Sequence, residues 1–202
     1  MTIPPLEDII AGMDEAGRGS WAGPVVAAAV ILPKGLRLGG LNDSKLVPPA
    51  KREKLFEKIV RYCDYGVGLA SHEEVDRCGL LQATYYAFKR ALENLPTKPD
   101  HILIDGRDKF AFVIPHTSII RGDQKVRCIS AASIIAKVTR DRLMVEYGKR
   151  YPQYGFQMHK GYGTEAHQLA LREHGPCELH RKSYEPLKKL QWQAKGFQEA
   201  FL

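Results

Sequence analysis

Two apolar runs constrain the fold more than anything else in the chain: residues 8–14 and "VVAAAVIL" (Val25–Leu32). Both are rich in β-branched and small residues and read as strands. The segment "DEAGRGSWAGP" between them carries Gly17, Gly19 and Gly23, so a hairpin is expected. Further strands are expected at "YGVGLAS", "HILIDG" and "FVIPHTSII". The charged segment "KREKLFEKIVRYC" reads as an amphipathic helix with Leu55, Ile59 and Tyr62 on one side. Ser71 and Glu74 form a capping box that opens a long helix to about Leu95, where Pro96 and Pro99 stop it. Another long helix is expected from about Cys128 to Arg150, ended by Pro152, and a shorter one from Thr164 to Glu173 with Gly175 beyond it. Strands come first and helices are interleaved afterwards, which predicts an α/β fold with a mixed sheet flanked by helices and a C-terminal helical extension.

The chain has 202 residues, enough to bury a real core in one compact unit. Within that unit, residues 1–150 read as the core and 151–202 as the extension. A formal net charge of +7 points toward an anionic partner, nucleic acid being the commonest for a domain of this kind. The start "MTIPPLEDII" lacks a cationic flank before an apolar stretch, and no apolar segment is long enough to span a bilayer, so a cytoplasmic, membrane-free protein is expected. The four cysteines are scattered, which suits free thiols in a reducing compartment. His174, Cys177 and His180 in "HGPCELH" are evenly spaced, but Gly175 and Pro176 interrupt them and no fourth ligand is nearby, so an ordinary polar loop is the expectation there. No heptad or long apolar stripe asks for a mate, and a monomer is expected. The closing "QWQAKGFQEAFL" reads either as a frayed tail or as a partner-binding segment.

Functional groups in α/β layers gather where strands end and loops begin. By that rule Asp14 and Glu15, closing the first strand, and Asp105, closing "HILID", are candidates. Adjacent strand residues face opposite ways, so Asp14 and Glu15 share one site only if the chain leaves strand geometry between them. Otherwise Glu15 faces solvent or pairs with Arg18. A fourth acid is sought at Asp123 or Asp141. Asp141 stands four residues after Lys137, the spacing of a surface ion pair on a helix, whereas Asp123 lies between a strand and a helix, so Asp123 is chosen. Two carboxylates within about 4 Å repel by about 4 kcal/mol at an effective dielectric near 20. Cations must offset that, and oxygen-only ligands favour hard ions such as Mg2+ or Mn2+, a pattern suited to two-metal phosphoryl transfer. Lys45 in "NDSK", with Asn42 and Ser44, fits phosphate contact, and Lys160 is a further candidate. Lys125, Lys137 and Arg140 stay open between phosphate contact and solvated face, the latter favoured for any one lysine, and the small residues of "SAASIIA" (Ser130–Ala136) read as packing that fixes where the loop before them ends.

The blocks "DEAGRG", "NDSK", "LIDG", "GDQK", "SAASIIAKVTRDR" and "HKGYGT" together resemble, in order, those of bacterial ribonuclease HII, over roughly residues 8–165. The resemblance implies a ribonuclease-H-like fold and a metal-dependent endonuclease. It would cut the RNA strand of RNA/DNA hybrids, or the 5′ side of a ribonucleotide embedded in duplex DNA, leaving 3′-hydroxyl and 5′-phosphate ends. It also implies that Asp14, Glu15, Asp105 and Asp123 bind the metal. Gly17, Arg18 and Gly19 would sense the ribose 2′-hydroxyl, and Tyr162 would stack at the junction of ribonucleotide and deoxynucleotide. Reading one hydroxyl requires close backbone approach, which glycine permits, and a tyrosine between Gly161 and Gly163 is free to project and stack. Two rivals compete: a DNA nuclease or junction resolvase, which has no use for a 2′-hydroxyl sensor, and a basic RNA-binding module with structural acids. The role of His159 stays open between a loop residue and a substrate contact.

Overall fold

The computed structural model describes residues 8–189; the closing "QWQAKGFQEAFL", read either as a frayed tail or as a partner-binding segment, lies outside them. The described chain forms two compact units. The first runs to Ala16 and adds Val26–Leu69 and Thr84–Thr139; the second comprises Gly17–Val25, Ala70–Ala83 and the chain from Arg140 onward.

The first unit is built on a five-stranded sheet. Its strands are β1 (Ile10–Ala16), β2 (Val25–Ile31), β3 (Asp64–Ala70), β4 (His101–Asp105) and β5 (His116–Ile119), in the spatial order β3-β2-β1-β4-β5. β1 and β2 pair antiparallel, as expected of a hairpin, with Asp14 opposite Ala28. β1 pairs parallel with β4, and β4 with β5, so the sheet is mixed. Val25–Val30 is fully buried, which is why β2 reads as one unbroken apolar run.

Helices cover both faces. The side chains of Ala28 and Val30 join a core with Leu55 and Ile59 of α1 (Pro49–Tyr62) and the small residues Ala131, Ala132 and Ala136 of α5 (Arg127–Arg150). On the other face, a Cβ at Gly66 or Gly68 of β3 would lie 2.1 Å from the carbonyl oxygen of Ala91 or Ala87. Those two residues belong to α3 (Leu80–Glu93), whose backbone therefore rests directly on the strand. Gly12 does the same for α5, since a Cβ there would meet the Cys128 carbonyl carbon at 2.2 Å.

Three expectations need correction. Tyr62 is half exposed and does not join Leu55 and Ile59 in the core, because α1 ends at Tyr62 itself. The capping box at Ser71 and Glu74 is present, but it opens only the short α2 (His72–Cys78). Gly79, at φ 81, takes a backbone conformation no helix continues through, and α3 starts anew at Leu80. The expected strand "FVIPHTSII" pairs only over His116–Ile119, after Pro115.

The second unit has its own core, formed by Ala22, Met144, Tyr154, Phe156, Leu171, Leu179 and Leu187. Around it lie the latter part of α5, a 3-10 turn (Pro152–Tyr154), α6 (Phe156–His159) and α7 (Glu165–His174). Thr164 caps α7 by accepting from the His167 N–H, and Gly175 follows it. The segment after β1 is not a free hairpin turn. Ala22 bridges to His180, Trp21 N–H donates to Gly161 O at 2.8 Å, and Gly23 N–H donates to Leu179 O at 2.9 Å.

Candidate active site

Parallel pairing places the first two acids. Met13 stands opposite Ile104 across β1 and β4, so Asp14 and Asp105, each one residue further, emerge side by side at the carboxyl ends of adjacent strands. The third acid follows from β5. Beyond Ile119, which pairs with Asp105, Arg121 adopts a left-handed conformation (φ 56) and turns the chain into the one-turn α4 (Gly122–Lys125), which carries Asp123. Asp105 itself holds that turn: its Oδ1 accepts from Gly122 N–H at 2.6 Å and from Asp123 N–H at 3.4 Å.

Asp14, Asp105 and Asp123 thus each offer a carboxylate oxygen within 4.8 Å of the others, with Asp14 and Asp123 buried. Glu15 is not in this group. β1 keeps its pairing through Glu15 and Ala16, and the bend falls after them, at Gly17 (φ 94), so the chain does not leave strand geometry between the two acids. Glu15 stays within electrostatic reach. Burial first, then the charges of Glu15 and Asp105, hold the Asp14 carboxyl well above the usual carboxylate range. Burial, Asp105 and Asp43 push Asp123 up to about 6, against the opposing charge of Lys45. Asp14 and Asp123 therefore hold their protons to higher pH than an ordinary carboxylate does, and a cation beside them would favour their ionised forms. An all-oxygen donor set converging within 4.8 Å fits a hard divalent cation.

The "NDSK" block is drawn to these acids. Asn42 accepts from Asp43 N–H at 2.8 Å, and Asp43 accepts from Lys45 N–H at 2.9 Å. Ser44 is buried, its hydroxyl 2.8 Å from that of Ser133. Ser133 also hydrogen-bonds the Asp14 carboxylate, and Ser130 donates to the main-chain oxygen of Asp123. "SAASIIA" is therefore more than packing, because its two hydroxyls hold two of the acids. The signal was present in the serine spacing of three, which puts both on one helix face. The acid Asp43 was also missed.

Gly17, Arg18 and Gly19 lie in the second unit. A Cβ at Gly17 would stand 2.0 Å from Arg140 Nε, while one at the exposed Gly19 would meet no atom within 4 Å. Arg140, open in the sequence between phosphate contact and solvated face, is fully buried, which rules out the solvated face. It donates to Pro24 O and Lys160 O at 2.9 Å, to Ser20 Oγ at 2.7 Å and to Ala22 O at 3.1 Å, and its guanidinium lies 5.4 Å from the Tyr162 ring centroid. The neighbouring charges in "KVTRDR" disguised it. Tyr162 is half-buried, and Lys160, itself left-handed (φ 55), turns its ammonium onto Gln157 O. His159 is used by the fold: Nε2 lies 2.7 Å from Tyr154 O, Nδ1 accepts from Gly161 N–H at 3.2 Å, and the ring stacks on His167 with centroids 4.4 Å apart. His167 in turn meets Tyr162 O and His180 Nε2, each at 3.0 Å. His180, expected in a polar loop, is buried.

The profile of the Ribonuclease HII family matches residues 11–194. The ribonuclease HII of Syntrophotalea carbinolica is 52% identical over 176 residues, 87% of this chain and 84% of that protein. Among solved structures, ribonuclease H2 from Pyrococcus horikoshii superposes with a TM-score of 0.74 at 28% identity, covering 92% of this chain and 98% of the other. A PCNA:RNase HII complex from Archaeoglobus fulgidus gives 0.75 at 26% identity, covering 88% and 95%. Likeness of sequence along almost the whole chain and likeness of fold agree: the chain belongs to the ribonuclease HII family and is a ribonuclease H, a hydrolytic endonuclease.

Proposed function

We propose that this chain cuts the RNA strand of RNA/DNA hybrids and incises duplex DNA on the 5′ side of a single embedded ribonucleotide, leaving 3′-hydroxyl and 5′-phosphate ends. The observation that carries this is the convergence of Asp14, Asp105 and Asp123 within 4.8 Å at the ends of adjacent strands. We assign Asp14, Asp105 and Asp123, with Glu15 on their border, as the residues that hold Mg2+ or Mn2+. Such ions, when bound, supply a hydroxide nucleophile and a positive charge for the departing oxygen. The protein's part is to fix the carboxylates in place. Ser133 holds Asp14, the α4 amides hold Asp105, and Ser130 holds the Asp123 main chain.

Gly17, Arg18 and Gly19 are assigned to the ribose 2′-hydroxyl and Tyr162 to stacking. The open space at Gly19 supports the first, since a sugar can come against its backbone. Asn42, Ser44, Lys45 and Lys160 are assigned to phosphate contact, which Lys45 suits best because its charge already acts on Asp123. Residues 151–202 contribute to substrate binding. We assign the C-terminal tail to a replication partner, supported by the PCNA complex of the Archaeoglobus fulgidus protein. The protein acts as a monomer. Among the described residues no helix is long and apolar enough to cross a membrane.

The test is incision of duplex DNA carrying one ribonucleotide, against an all-DNA control, with and without magnesium. Magnesium-dependent cutting of the first duplex alone is expected. Cutting of both favours a DNA nuclease, and cutting of neither a binding module. Asp105→Asn should abolish cutting while keeping hybrid affinity at low salt; wild-type turnover by that variant would remove Asp105 from the mechanism.

A further inference from the structure

The segment from Gly17 to Pro24 turns its carbonyls inward onto two arginines. Arg140 takes Ala22 O and Pro24 O, as described above. Arg181, also fully buried, donates from Nε and Nη2 to Gly23 O at 3.0 and 2.9 Å, and from Nη1 to Arg18 O at 2.9 Å. Its own N–H donates to Trp21 O at 2.8 Å. Arg18 O receives a second bond, from the Tyr184 hydroxyl at 2.5 Å, and Arg181 Nη1 lies 2.8 Å from that hydroxyl. Gly17 O is likewise tied, to Ser20 Oγ at 2.8 Å.

A trans peptide sets its N–H opposite its carbonyl. Holding Gly17 O and Arg18 O inward therefore turns the N–H groups of Arg18 and Gly19 the other way, toward the side where Gly19 is exposed and a Cβ would meet nothing. Left alone, a glycine-flanked peptide rotates readily and presents donor or acceptor with little preference. A guanidinium with three of its N–H groups on two carbonyls of one short segment removes that freedom. Burying a cation costs free energy unless its donors are satisfied, and here main-chain carbonyls and a hydroxyl satisfy them. Flipping the Arg18–Gly19 peptide would strip the buried guanidinium of one partner and the tyrosine hydroxyl of its acceptor.

The geometry points to Arg181 and Tyr184 as positioning residues for ribose discrimination: they lock the Arg18–Gly19 peptide so that its N–H donor faces the sugar, where a 2′-oxygen can accept it and a 2′-hydrogen cannot. This rests on the assignment of Gly17–Gly19 to the 2′-hydroxyl. Both act through the Arg18–Gly19 peptide, and neither belongs to the carboxylate cluster.

Binding selectivity tests it without turnover. In the Asp105→Asn background, affinity is measured for duplex DNA with one ribonucleotide and for the identical all-DNA duplex. Adding Tyr184→Phe, which removes one of the two bonds to Arg18 O and the hydroxyl partner of Arg181 Nη1 while keeping the ring, should lower the preference for the ribonucleotide three- to tenfold. Affinity for the all-DNA duplex should stay unchanged, and the melting temperature should fall by no more than a few degrees, the cost of one lost partner of the buried guanidinium. Arg181→Lys, which keeps the charge but loses the fork, should lower the preference further. Retained preference in Tyr184→Phe overturns the lock, as does a uniform loss of affinity for both duplexes, which marks a structural role only. Equal binding of the two duplexes by Asp105→Asn itself sinks the ribose-reading assignment and the lock together.

Discussion

Acid should weaken the histidine array of the second unit, by an amount the structure allows to be worked out. His167 and His180 share a hydrogen bond in the protein interior, and burial lowers each to about 4, against about 6.5 for a free imidazole. Above about pH 6.5 both rings are neutral in the folded and unfolded chain alike, and their stabilising contribution is fully present. As pH falls from there toward about 4, the unfolded chain binds protons that the folded chain refuses, so stability declines. Between about pH 7 and about pH 5 each ring loses about 1.8 kcal/mol, and the pair at most about 3 to 4 kcal/mol. Asp14 and Asp123 act in the opposite sense, because their raised values mean that the folded chain takes up protons first. The two effects mask each other in a single protein, so the comparison is with the His167→Asn/His180→Gln double variant, in which the carboxylates are unchanged. Urea unfolding followed by circular dichroism at both pH values should show wild type losing about 3 kcal/mol more than the variant. Equal losses in the two proteins would refute the reasoning.

Gly17→Ala should destabilise the protein by about 3 kcal/mol, combining an unfavourable positive φ with a displaced Arg140 hydrogen bond; chemical denaturation measures it, and a neutral substitution would contradict the close packing of that corner. Ser133→Ala removes a hydrogen bond to the Asp14 carboxylate, a kind of bond worth about 1.5–3 kcal/mol. The magnesium concentration for half-maximal incision should then rise about tenfold or more, and an unchanged midpoint would detach Ser133 from the metal centre.

Sequence patterns made the sheet legible because its strands are short apolar runs between turn residues, and Asp14 and Asp105 because each ends such a run. Asp123 could be preferred over Asp141 from its place between two elements. The fate of Glu15 could not be read, since it depends on how far β1 stays paired, and the partner strand β2 continues that pairing past both acids. Arg140 and Arg181 escaped notice for a different reason: a buried arginine satisfied by carbonyls has no acidic neighbour in sequence to announce it. Gly79 hid within a helical pattern whose apolar spacing runs on either side of the break.

The alanines and glycine between β1, β2 and α5 have a consequence for how this protein can change over generations. With Gly12 against the Cys128 backbone, and Ala28, Ala131, Ala132 and Ala136 sharing one buried layer, there is no slack into which a larger residue can drift singly. In a randomised library these positions would form a stripe of near-total intolerance through the middle of the domain. Any enlargement there would displace α5, and with it the two serines that steady the acids, so catalytic loss and folding loss would be inherited as one phenotype.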